Sequence, residues 1–435
     1  MNRRHFFKST GTLATGALAF PTIIPSSALG LDGAVAPSNR ITVGLIGAGD
    51  RGMHVIKNEF IPNKNAQVVA ACDAFTPRVK GAIKTIDEAY GNKGCAGHAD
   101  FRELLANKGI DAVFIATPDH WHTPIANYAA RAGKDIYSEK PVTLTVAEGQ
   151  ALCATVKKHA RIYQSGTQGR SMEKVRHACE LVRNGKIGQA LTVEISLPSS
   201  RALEEKNRKA GMPKIEPLPE GFDYEMWLGP APLVPYRGSC FWDFRWRSDY
   251  GAGYISDWGT HILDFAQWMM GADGSGPIRV EGKGERMRGG LWDVYWKYEV
   301  EYTYAGGLKL ILKEGAEGQG ALKVTGSEGW FTYSWNSQSI AAGSSDFSSV
   351  TIKPNEIRLY RSDNHVDNFL SCIRTRQQTI SPAEVGHRSA SICHLGVIAM
   401  DVGKALDWDP VAERFGNSAD ANGMLSRPIR SPWHL

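Results

Sequence analysis

Three ionisable side chains stand where they could exchange protons with a bound molecule. Lys140 lies between Glu139 and Pro141, at the end of a short apolar run. Asp257 and His261 are four residues apart at the start of a predicted helix, so their side chains share one face. An amine or an imidazole can act as a base, and a helix start favours a carboxylate. The alternatives are a solvated lysine, an aspartate that caps its helix and a histidine that packs in the core.

A glycine-rich turn lies near the start of the predicted globular part. Residues 41–46 form an apolar, partly β-branched run that predicts a buried parallel strand, and residues 53–60 have helical character. Between them, Gly47, Gly49 and Gly52 form a G-x-G-x-x-G sequence. This spacing allows a tight turn, close approach of backbone to a pyrophosphate, and packing of the helix on the strand.

The next predicted strand ends at Asp73, about 20 residues beyond the last glycine, where a carboxylate can bind the adenosine ribose. Such a carboxylate repels a 2′-phosphate, so the sequence favours NAD over NADP, although Arg78 could soften that choice. Asp50 and Arg51, within the turn, are further cofactor-binding candidates. The alternative is a glycine-rich turn that binds no nucleotide.

Two more apolar runs, residues 112–116 and 135–138, predict buried strands that end in polar residues. Ligands of open α/β sheets bind beyond the carboxyl ends of the strands, so both ends should edge one cleft. His120 and His122 suggest a metal cluster, but two histidines on one turn without a distant partner make a poor site. We therefore predict no metal.

These motifs together resemble those of the Gfo/Idh/MocA oxidoreductases, over roughly residues 39 to 405. The resemblance rests on the strand-end Thr117-Pro118 with His122, on Glu139-Lys140-Pro141 and on Asp257-x-x-x-His261. It implies an α/β protein with an N-terminal Rossmann domain and a C-terminal α/β domain. The second domain should carry a large, mostly antiparallel open sheet, which in the family commonly builds dimers or tetramers.

The resemblance also implies roles for single residues. Asp257 would orient the substrate, while His261 and Lys140 would handle the hydroxyl proton that must leave as hydride departs from a secondary alcohol carbon. Which of the two is the base stays open. The cofactor-binding candidates around the strand ends are Thr117, Pro118, His122, Glu139 and Gln168.

Substrate contacts are assigned to three further residues. Arg170 could bind substrate, and a structural salt bridge is an equally good interpretation. Residues 241–247 are aromatic and cationic, and such side chains can stack on sugar faces and bond hydroxyls. Trp246 and Arg247 are the candidates there, with a packed core as the alternative.

The length of 435 residues suits two domains and a leader. We predict a Rossmann domain over residues 39–165, a second domain over 166–407, and an irregular tail over 408–435 that could form an arm onto a neighbouring subunit. A Pro- and charge-rich excursion over residues 199–236 should lie on the active-site side.

Charge and cysteine content exclude several classes of function. The net charge is +5, but basic residues are scattered among 45 acidic ones, which argues against a nucleic-acid partner. The sequence has no uninterrupted run of eighteen apolar residues, so it does not predict a membrane span. The seven cysteines show no C-x-x-C or zinc-type spacing, which predicts buried free thiols.

Residues 1–30 resemble a twin-arginine signal. Arg3 and Arg4 precede a weakly apolar stretch over residues 10–24, and small residues around Ala28 offer a cleavage site. This order predicts export of a folded protein to the periplasm. The alternative is a disordered basic N-terminus.

Three functions are consistent with these residues. The first is an NAD-dependent oxidoreductase acting on a secondary hydroxyl of a sugar or cyclitol, with the cofactor retained because the periplasm has no free NAD pool. The second is a glycosidase that uses NAD transiently, by oxidation at C3, elimination and hydration. The third is a non-catalytic sugar-binding protein, against which the intact Lys140, Asp257 and His261 argue.

Overall fold

The computed structural model describes residues 39–238, 240–315, 320–335, 337–343 and 350–435. The predicted signal over residues 1–30 lies outside these ranges. No helix in the described ranges is long and apolar enough to cross a membrane.

The first half of the chain forms a six-stranded parallel sheet in the order β3-β2-β1-β4-β5-β6. Its strands are β1 (Ile41–Ile46), β2 (Ala66–Cys72), β3 (Ala96–His98), β4 (Ala112–Ile115), β5 (Asp135–Ser138) and β6 (Tyr163–Ser165). Its helices are α1 (Asp50–Val55), α2 (Thr76–Tyr90), α3 (Phe101–Ala106), α4 (His122–Arg131) and α5 (Val146–Lys158). This arrangement is the Rossmann-like sheet that the glycine motif predicts.

Burial explains why the apolar runs become strands. All four residues of β4 and all four of β5 are buried, as expected for central parallel strands covered by helices on both faces. Because the strands are parallel, their carboxyl ends meet at one edge of the sheet. The turn after β1 and the segments after β4, β5 and β6 therefore converge there.

The second half forms a nine-stranded sheet in the order β13-β12-β11-β7-β10-β9-β8-β14-β15. Its strands are β7 (Ala190–Leu197), β8 (Arg279–Arg286), β9 (Tyr295–Thr303), β10 (Lys309–Glu314), β11 (Ala321–Gly326), β12 (Trp330–Ser334), β13 (Ser339–Ala342), β14 (Leu406–Asp409) and β15 (Arg414–Phe415). Only the β7–β10 pair among these described strands is parallel. The sheet is thus mostly antiparallel, as predicted.

The second half also contains eight helices in its described residues. They are α6 (Glu173–Arg183), α7 (Arg201–Ala210), α8 (Tyr224–Leu228), α9 (Tyr254–Asp257), α10 (Gly259–Met270), α11 (His365–Thr375), α12 (Ala383–Val402) and α13 (Ala419–Gly423). Of these, α11 packs on the first sheet, whereas α10 and α12 pack on the second sheet and contribute to its core. The tyrosines and phenylalanines that β9 and β12 direct inward, such as Tyr302 and Phe331, are fully buried in this core.

The last long helix differs from the sequence prediction at both ends. The sequence pattern predicts this helix over residues 388–406, but α12 begins five residues earlier, directly after Pro382, and ends before Gly403, whose φ is +70°. Proline suits a helix start and a left-handed glycine ends a helix, so both boundaries have local causes. Leu406 instead begins β14 at the edge of the sheet.

The C-terminal tail packs against earlier residues of the same chain. β14 and β15 join the second sheet, and Trp433 packs against Trp121 and Phe101 with ring centroids 4.7 and 6.1 Å apart. Arg430 donates to the carbonyl of Ala231 at 3.0 Å and pairs with Glu225. Contact of this tail with a neighbouring subunit stays a prediction.

Candidate active site

The glycine turn after β1 has the close packing that its spacing predicts. Gly47 has φ +96°, and a Cβ there would lie 2.6 Å from the backbone of Ala116. A Cβ on Gly52 would lie 2.0 Å from the carbonyl oxygen of Gly47, so only glycine lets α1 pack this closely on the turn. A Cβ on Gly49 would have no contact closer than 3.4 Å, which leaves the backbone at this position accessible from the cleft.

Asp73, at the end of β2, stabilises this turn through hydrogen bonds. Its carboxylate accepts from the backbone N–H of Ala48 at 2.8 Å and from that of Phe75 at 2.9 Å. Burial raises the pKa of Asp73, while the nearby Arg78 acts in the opposite direction. The carboxylate lies on the cleft wall, where it can still accept hydrogen bonds from a bound group.

Polar residues after β5 and β6 form a connected network. Glu139 pairs with Arg51 of α1 at 2.7 Å and accepts from Gln168 Nε2 at 3.2 Å. Gln168 also donates to the Tyr137 hydroxyl at 3.1 Å. This network joins the glycine turn to the ends of two other strands.

His122 joins two strand ends. Its Nδ1 lies 2.7 Å from the carbonyl oxygen of Pro141, and its Nε2 lies 2.8 Å from that of Thr117. The ring is almost fully buried, which lowers its pKa. His122 therefore holds the backbone of the cleft rather than offering a free nitrogen to a ligand.

Lys140 and Asp257 form the central ion pair of the cleft. Lys140 Nζ lies 2.5 Å from Asp257 Oδ1 and donates to the Asp257 carbonyl oxygen at 2.7 Å. Arg245 Nε is 3.6 Å from the other carboxylate oxygen. Burial by itself would raise the pKa of Asp257, but the charges of Lys140 and Arg245 outweigh it and lower that pKa.

Asp257 and His261 belong to two consecutive helices rather than to the start of one. Asp257 is the last residue of α9, and His261 lies in the first turn of α10. Trp258 between them keeps right-handed helical angles, so the two side chains remain one turn apart on the same face. The predicted juxtaposition is therefore present, with a different helix boundary.

His261 offers a neutral imidazole to the cleft. Its ring stacks on Trp335 with centroids 5.0 Å apart. Burial, followed by the positive charge of Lys140, lowers its pKa well below the ordinary value. Within the described part of the chain neither ring nitrogen makes a hydrogen bond, and Nδ1 is fully buried.

One cleft of about 540 Å³ brings these groups together. Lys140, Asp257 and His261 all line it. So do ten of the eleven cofactor-binding candidates: Gly47, Gly49, Asp50, Arg51, Asp73, Thr117, Pro118, His122, Glu139 and Gln168. Gly52 lies behind the wall, where it packs α1 on the turn.

The three substrate candidates lie elsewhere. Arg170 is 2% exposed and pairs with Asp264 at 2.8 Å and Asp273 at 2.7 Å, so it forms the structural salt bridge that was its alternative interpretation. Trp246 is equally buried and packs in a small apolar cluster with Trp292. The guanidinium of Arg247 lies over the ring of Tyr250, 4.6 Å from its centroid, outside the cleft lining.

Two neighbours of these candidates line the cleft instead. Residues Asp243–Trp246 form a 3₁₀ helix, in which side chains three positions apart share a face. Trp242 and Arg245 are three apart, and the Arg245 guanidinium lies 4.1 Å from the Trp242 ring centroid. Both line the cleft, and Trp242 is 56% exposed. Part of the segment that the composition singled out lines the cleft, and the 3₁₀ turn decides which of its side chains do so.

Asp119 is a cleft residue that sequence reasoning left out. It begins the 3₁₀ turn after β4, is 6% exposed and lines the cleft near Lys140 and Asp257. Burial raises its pKa to about 7, against the opposing charge of Arg245. The sequence feature that could have identified Asp119 as a cleft residue is its position just beyond the end of β4.

The cleft fits a dinucleotide. Gly49 presents accessible backbone, Asp73 lies on the wall, and the buried Thr117 hydroxyl has no hydrogen-bond partner in the described chain. A pyrophosphate near the first turn of α1 and a ribose near Asp73 would use these groups. No group of three or more metal-ligating side chains occurs among the described residues.

Comparison with known families agrees with the fold and the cleft. The model described as "Oxidoreductase family, NAD-binding Rossmann fold" matches residues 41–167, and "Oxidoreductase family, C-terminal alpha/beta domain" matches residues 171–435. The chain therefore belongs to the Gfo/Idh/MocA oxidoreductase family.

Individual relatives are more distant. The chain is 29% identical over 208 residues to the alpha-N-acetylgalactosaminidase of Shewanella oneidensis, and 33% identical over 211 residues to a glycosyl hydrolase family 109 protein of another Shewanella strain. Each alignment covers 44% of this chain and 44% of the relative, so the chain spans less than half the length of the curated relatives it matches.

Solved structures share the fold. The aldose-aldose oxidoreductase of Caulobacter crescentus superposes with a TM-score of 0.62 at 20% identity, over 85% of this chain and 99% of the other. The WlbA dehydrogenase of Bordetella pertussis gives 0.63 at 15% identity, over 85% and 99%. At these identities the likeness establishes the fold alone.

Proposed function

We propose that the protein is an oxidoreductase that moves hydride between a secondary hydroxyl carbon of a sugar or cyclitol and a nicotinamide dinucleotide. The observation that carries this proposal is the Lys140–Asp257 ion pair, 2.5 Å long, with the neutral His261 beside it in the glycine-lined cleft. When bound, the nicotinamide ring supplies the hydride acceptor and donor.

Residues of the chain would orient the substrate hydroxyl and transfer its proton. Lys140 Nζ donates two hydrogen bonds to Asp257, so the pair is held as an oriented charge and acceptor for substrate hydroxyls. His261 is neutral near pH 7 and neither of its nitrogens has a hydrogen-bond partner among the described residues, so it can accept the hydroxyl proton at Nε2. We therefore assign the base role to His261 and the orienting role to Lys140 with Asp257.

We propose NAD rather than NADP as the cofactor. A 2′-phosphate on the adenosine ribose would approach the Asp73 carboxylate, and repulsion disfavours it. Arg78 lies close enough to Asp73 to influence its pKa and could partly offset that repulsion. The pyrophosphate would meet the backbone around Gly49 and the first turn of α1.

We also propose export by the twin-arginine route, with the cofactor retained, and assembly as a homodimer or homotetramer. An exported enzyme cannot draw on a cytoplasmic NAD pool. The cofactor must then be bound before export and regenerated within each catalytic cycle.

The first experiment is to denature the purified mature protein and identify any released nucleotide. Stoichiometric NAD followed by absorbance changes at 340 nm on addition of sugars or inositols would support the proposal. A protein that neither releases nor binds a nicotinamide dinucleotide, and oxidises none of these alcohols, would refute it.

A second candidate function is an NAD-dependent glycosidase. The named relatives favour it, since one is an alpha-N-acetylgalactosaminidase and others are glycosyl hydrolase family 109 proteins. Release of 4-nitrophenol from 4-nitrophenyl N-acetyl-α-D-galactosaminide, with no cofactor added, would support this function.

A further inference from the structure

The second half of the chain pairs with the residues just after Asp73. Phe75 forms an antiparallel bridge with Phe222, and their rings pack edge to face with centroids 5.9 Å apart. The backbone after Asp73 is therefore held in part by the excursion over residues 199–236. Two backbone hydrogen bonds of 2.8 Å flank the bridge, from Thr76 N–H to the Gly221 carbonyl and from Asp223 N–H to the Ala74 carbonyl.

Phe241 extends this contact into the cleft. Its ring stacks on Phe75 with centroids 5.2 Å apart and packs against Phe222 at 5.0 Å. Arg78 Cζ lies 4.3 Å from the Phe241 ring centroid, within range of a cation–π interaction. Both Arg78 and Phe241 line the cleft. The position of the Arg78 guanidinium thus depends on a residue of the second half.

The Arg78 guanidinium lies beside the glycine turn. Its Nη1 is 3.4 Å from the position that a Cβ on Gly49 would take, and its charge acts on the Asp73 carboxylate. Among the described residues, its N–H groups donate no hydrogen bond. A guanidinium has five such donors, and they suit phosphate oxygens. Arg78 is therefore next to both groups that would hold the pyrophosphate and the adenosine ribose.

Contact with Phe241 orders the Arg78 side chain before any ligand binds. An arginine has many rotamers, and fixing it in one of them upon binding costs entropy. Because Phe241 is itself packed against Phe75 and Phe222, its ring provides a fixed surface for the guanidinium. An arginine ordered in advance favours long residence of its ligand, since changes in affinity at one site act mainly on dissociation.

We propose that Arg78 is a further binding residue for the dinucleotide and that Phe241 is the residue that positions it, so that the second half of the chain retains the cofactor. This inference rests on the proposed function only for the presence of the dinucleotide. It adds the side chains that slow release of the cofactor, and it does not depend on which alcohol is oxidised.

The experiment measures how fast bound NADH leaves the protein. Protein loaded with NADH is mixed with excess NAD, and the fall in NADH fluorescence gives the dissociation rate. We expect Arg78→Met to release NADH about 10- to 100-fold faster, because charge-assisted hydrogen bonds to the dinucleotide are lost. Phe241→Ala should release it about 10-fold faster or more, because the guanidinium is no longer ordered.

A double variant tests whether Phe241 acts through Arg78. If it does, Arg78→Met combined with Phe241→Ala should release NADH less than about 3-fold faster than Arg78→Met alone, because the two effects share one group. Phe241→Leu keeps an apolar side chain but removes the ring, so it should accelerate release even if the alanine variant does not fold.

Arg361→Met and Tyr360→Ala are the matched controls. Both residues lie outside the cleft lining, Arg361 is exposed, and Tyr360 is an aromatic residue that is 46% exposed. Both variants should release NADH at the wild-type rate.

The outcomes separate this inference from the proposed function. Wild-type release rates in Arg78→Met, or a double variant whose rate is the product of the two single effects, would overturn the inference and leave the oxidoreductase intact. A wild-type protein that binds neither NADH nor NAD would instead refute the proposed function, and this inference with it.

Discussion

In the cleft, Lys140 is a closer ion-pair partner of Asp257 than Arg245 is, at 2.5 Å against 3.6 Å. Both hydrogen bonds of Lys140 Nζ go to Asp257, and its charge helps to lower the pKa of that carboxyl against the effect of burial. If Lys140 were lost, burial would still oppose the charged form of Asp257, and Arg245, 3.6 Å away, would remain as its ion-pair partner. In the proposed function, the pair would orient the bound hydroxyl.

Lys140→Met should lower kcat for sugar oxidation by about 100-fold or more, because it removes a charge that orients the reacting hydroxyl. Steady-state kinetics, with the nucleotide content of each preparation measured, would check this. Lys157→Met, on the exposed face of α5, serves as the control. Full turnover in Lys140→Met would remove Lys140 from the mechanism.

At the scale of elements, the 3₁₀ helix Asp243–Trp246 separates a cleft-lining tryptophan before it from a buried tryptophan at its end. Trp242 is exposed in the cleft, whereas Trp246 is buried against Trp292 and Tyr254. The two tryptophans should therefore respond differently to truncation.

Trp242→Ala should raise KM for the sugar about 3- to 10-fold through loss of a stacking surface, with little change in the free energy of unfolding. Trp246→Ala should lower the free energy of unfolding by about 3–5 kcal/mol because it leaves a cavity. Kinetics and urea unfolding of both variants would test this division. The reverse pattern would show that Trp246 is the substrate contact.

At the scale of the whole molecule, buried histidines make stability depend on pH. Burial lowers the pKa of five of them, so the unfolded chain binds more protons than the native chain below pH about 6.5. These histidines are His120, His122, His261, His365 and His394. Asp119 acts in the opposite direction, since its folded pKa is raised.

We therefore expect the free energy of unfolding to fall by several kcal/mol between pH 6.5 and 5.5, at about 1.4 kcal/mol per histidine and pH unit before opposing groups are counted. Urea unfolding at both pH values would measure it. An unchanged or higher unfolding midpoint at pH 5.5 would contradict the expectation.

The targeting prediction also concerns the whole protein. Replacement of Arg3 and Arg4 by lysines should retain the protein in the cytoplasm, because the twin-arginine route requires the arginine pair. Cell fractionation of both forms would test this. Unchanged export of the lysine variant would refute the twin-arginine assignment.

Local physics made part of this protein predictable. The apolar runs of β1, β4 and β5 and the glycine turn follow from backbone sterics and burial, which act over a few residues. Their carboxyl ends had to meet at one edge because the strands are parallel, so Lys140, Glu139 and Asp73 could be assigned to one cleft from sequence. The family motifs added Asp257 and His261.

Other features depend on partners far away in the chain. The sequence could not show whether Arg170 binds substrate or forms a structural salt bridge. Its partners, Asp264 and Asp273, lie about a hundred residues further along the chain. Asp119 differs from an ordinary strand-end aspartate only because Gly251 and Arg245 of the second half enclose it.

By itself, the sequence determined the Rossmann fold and the residue types at the strand ends, and its family motifs predicted the mostly antiparallel second sheet. Only the tertiary structure decided which face of the 3₁₀ turn meets the cleft and which acid is buried there. The reason is physical: secondary structure responds to neighbouring residues, whereas burial and pKa respond to every group that folding brings within a few ångströms.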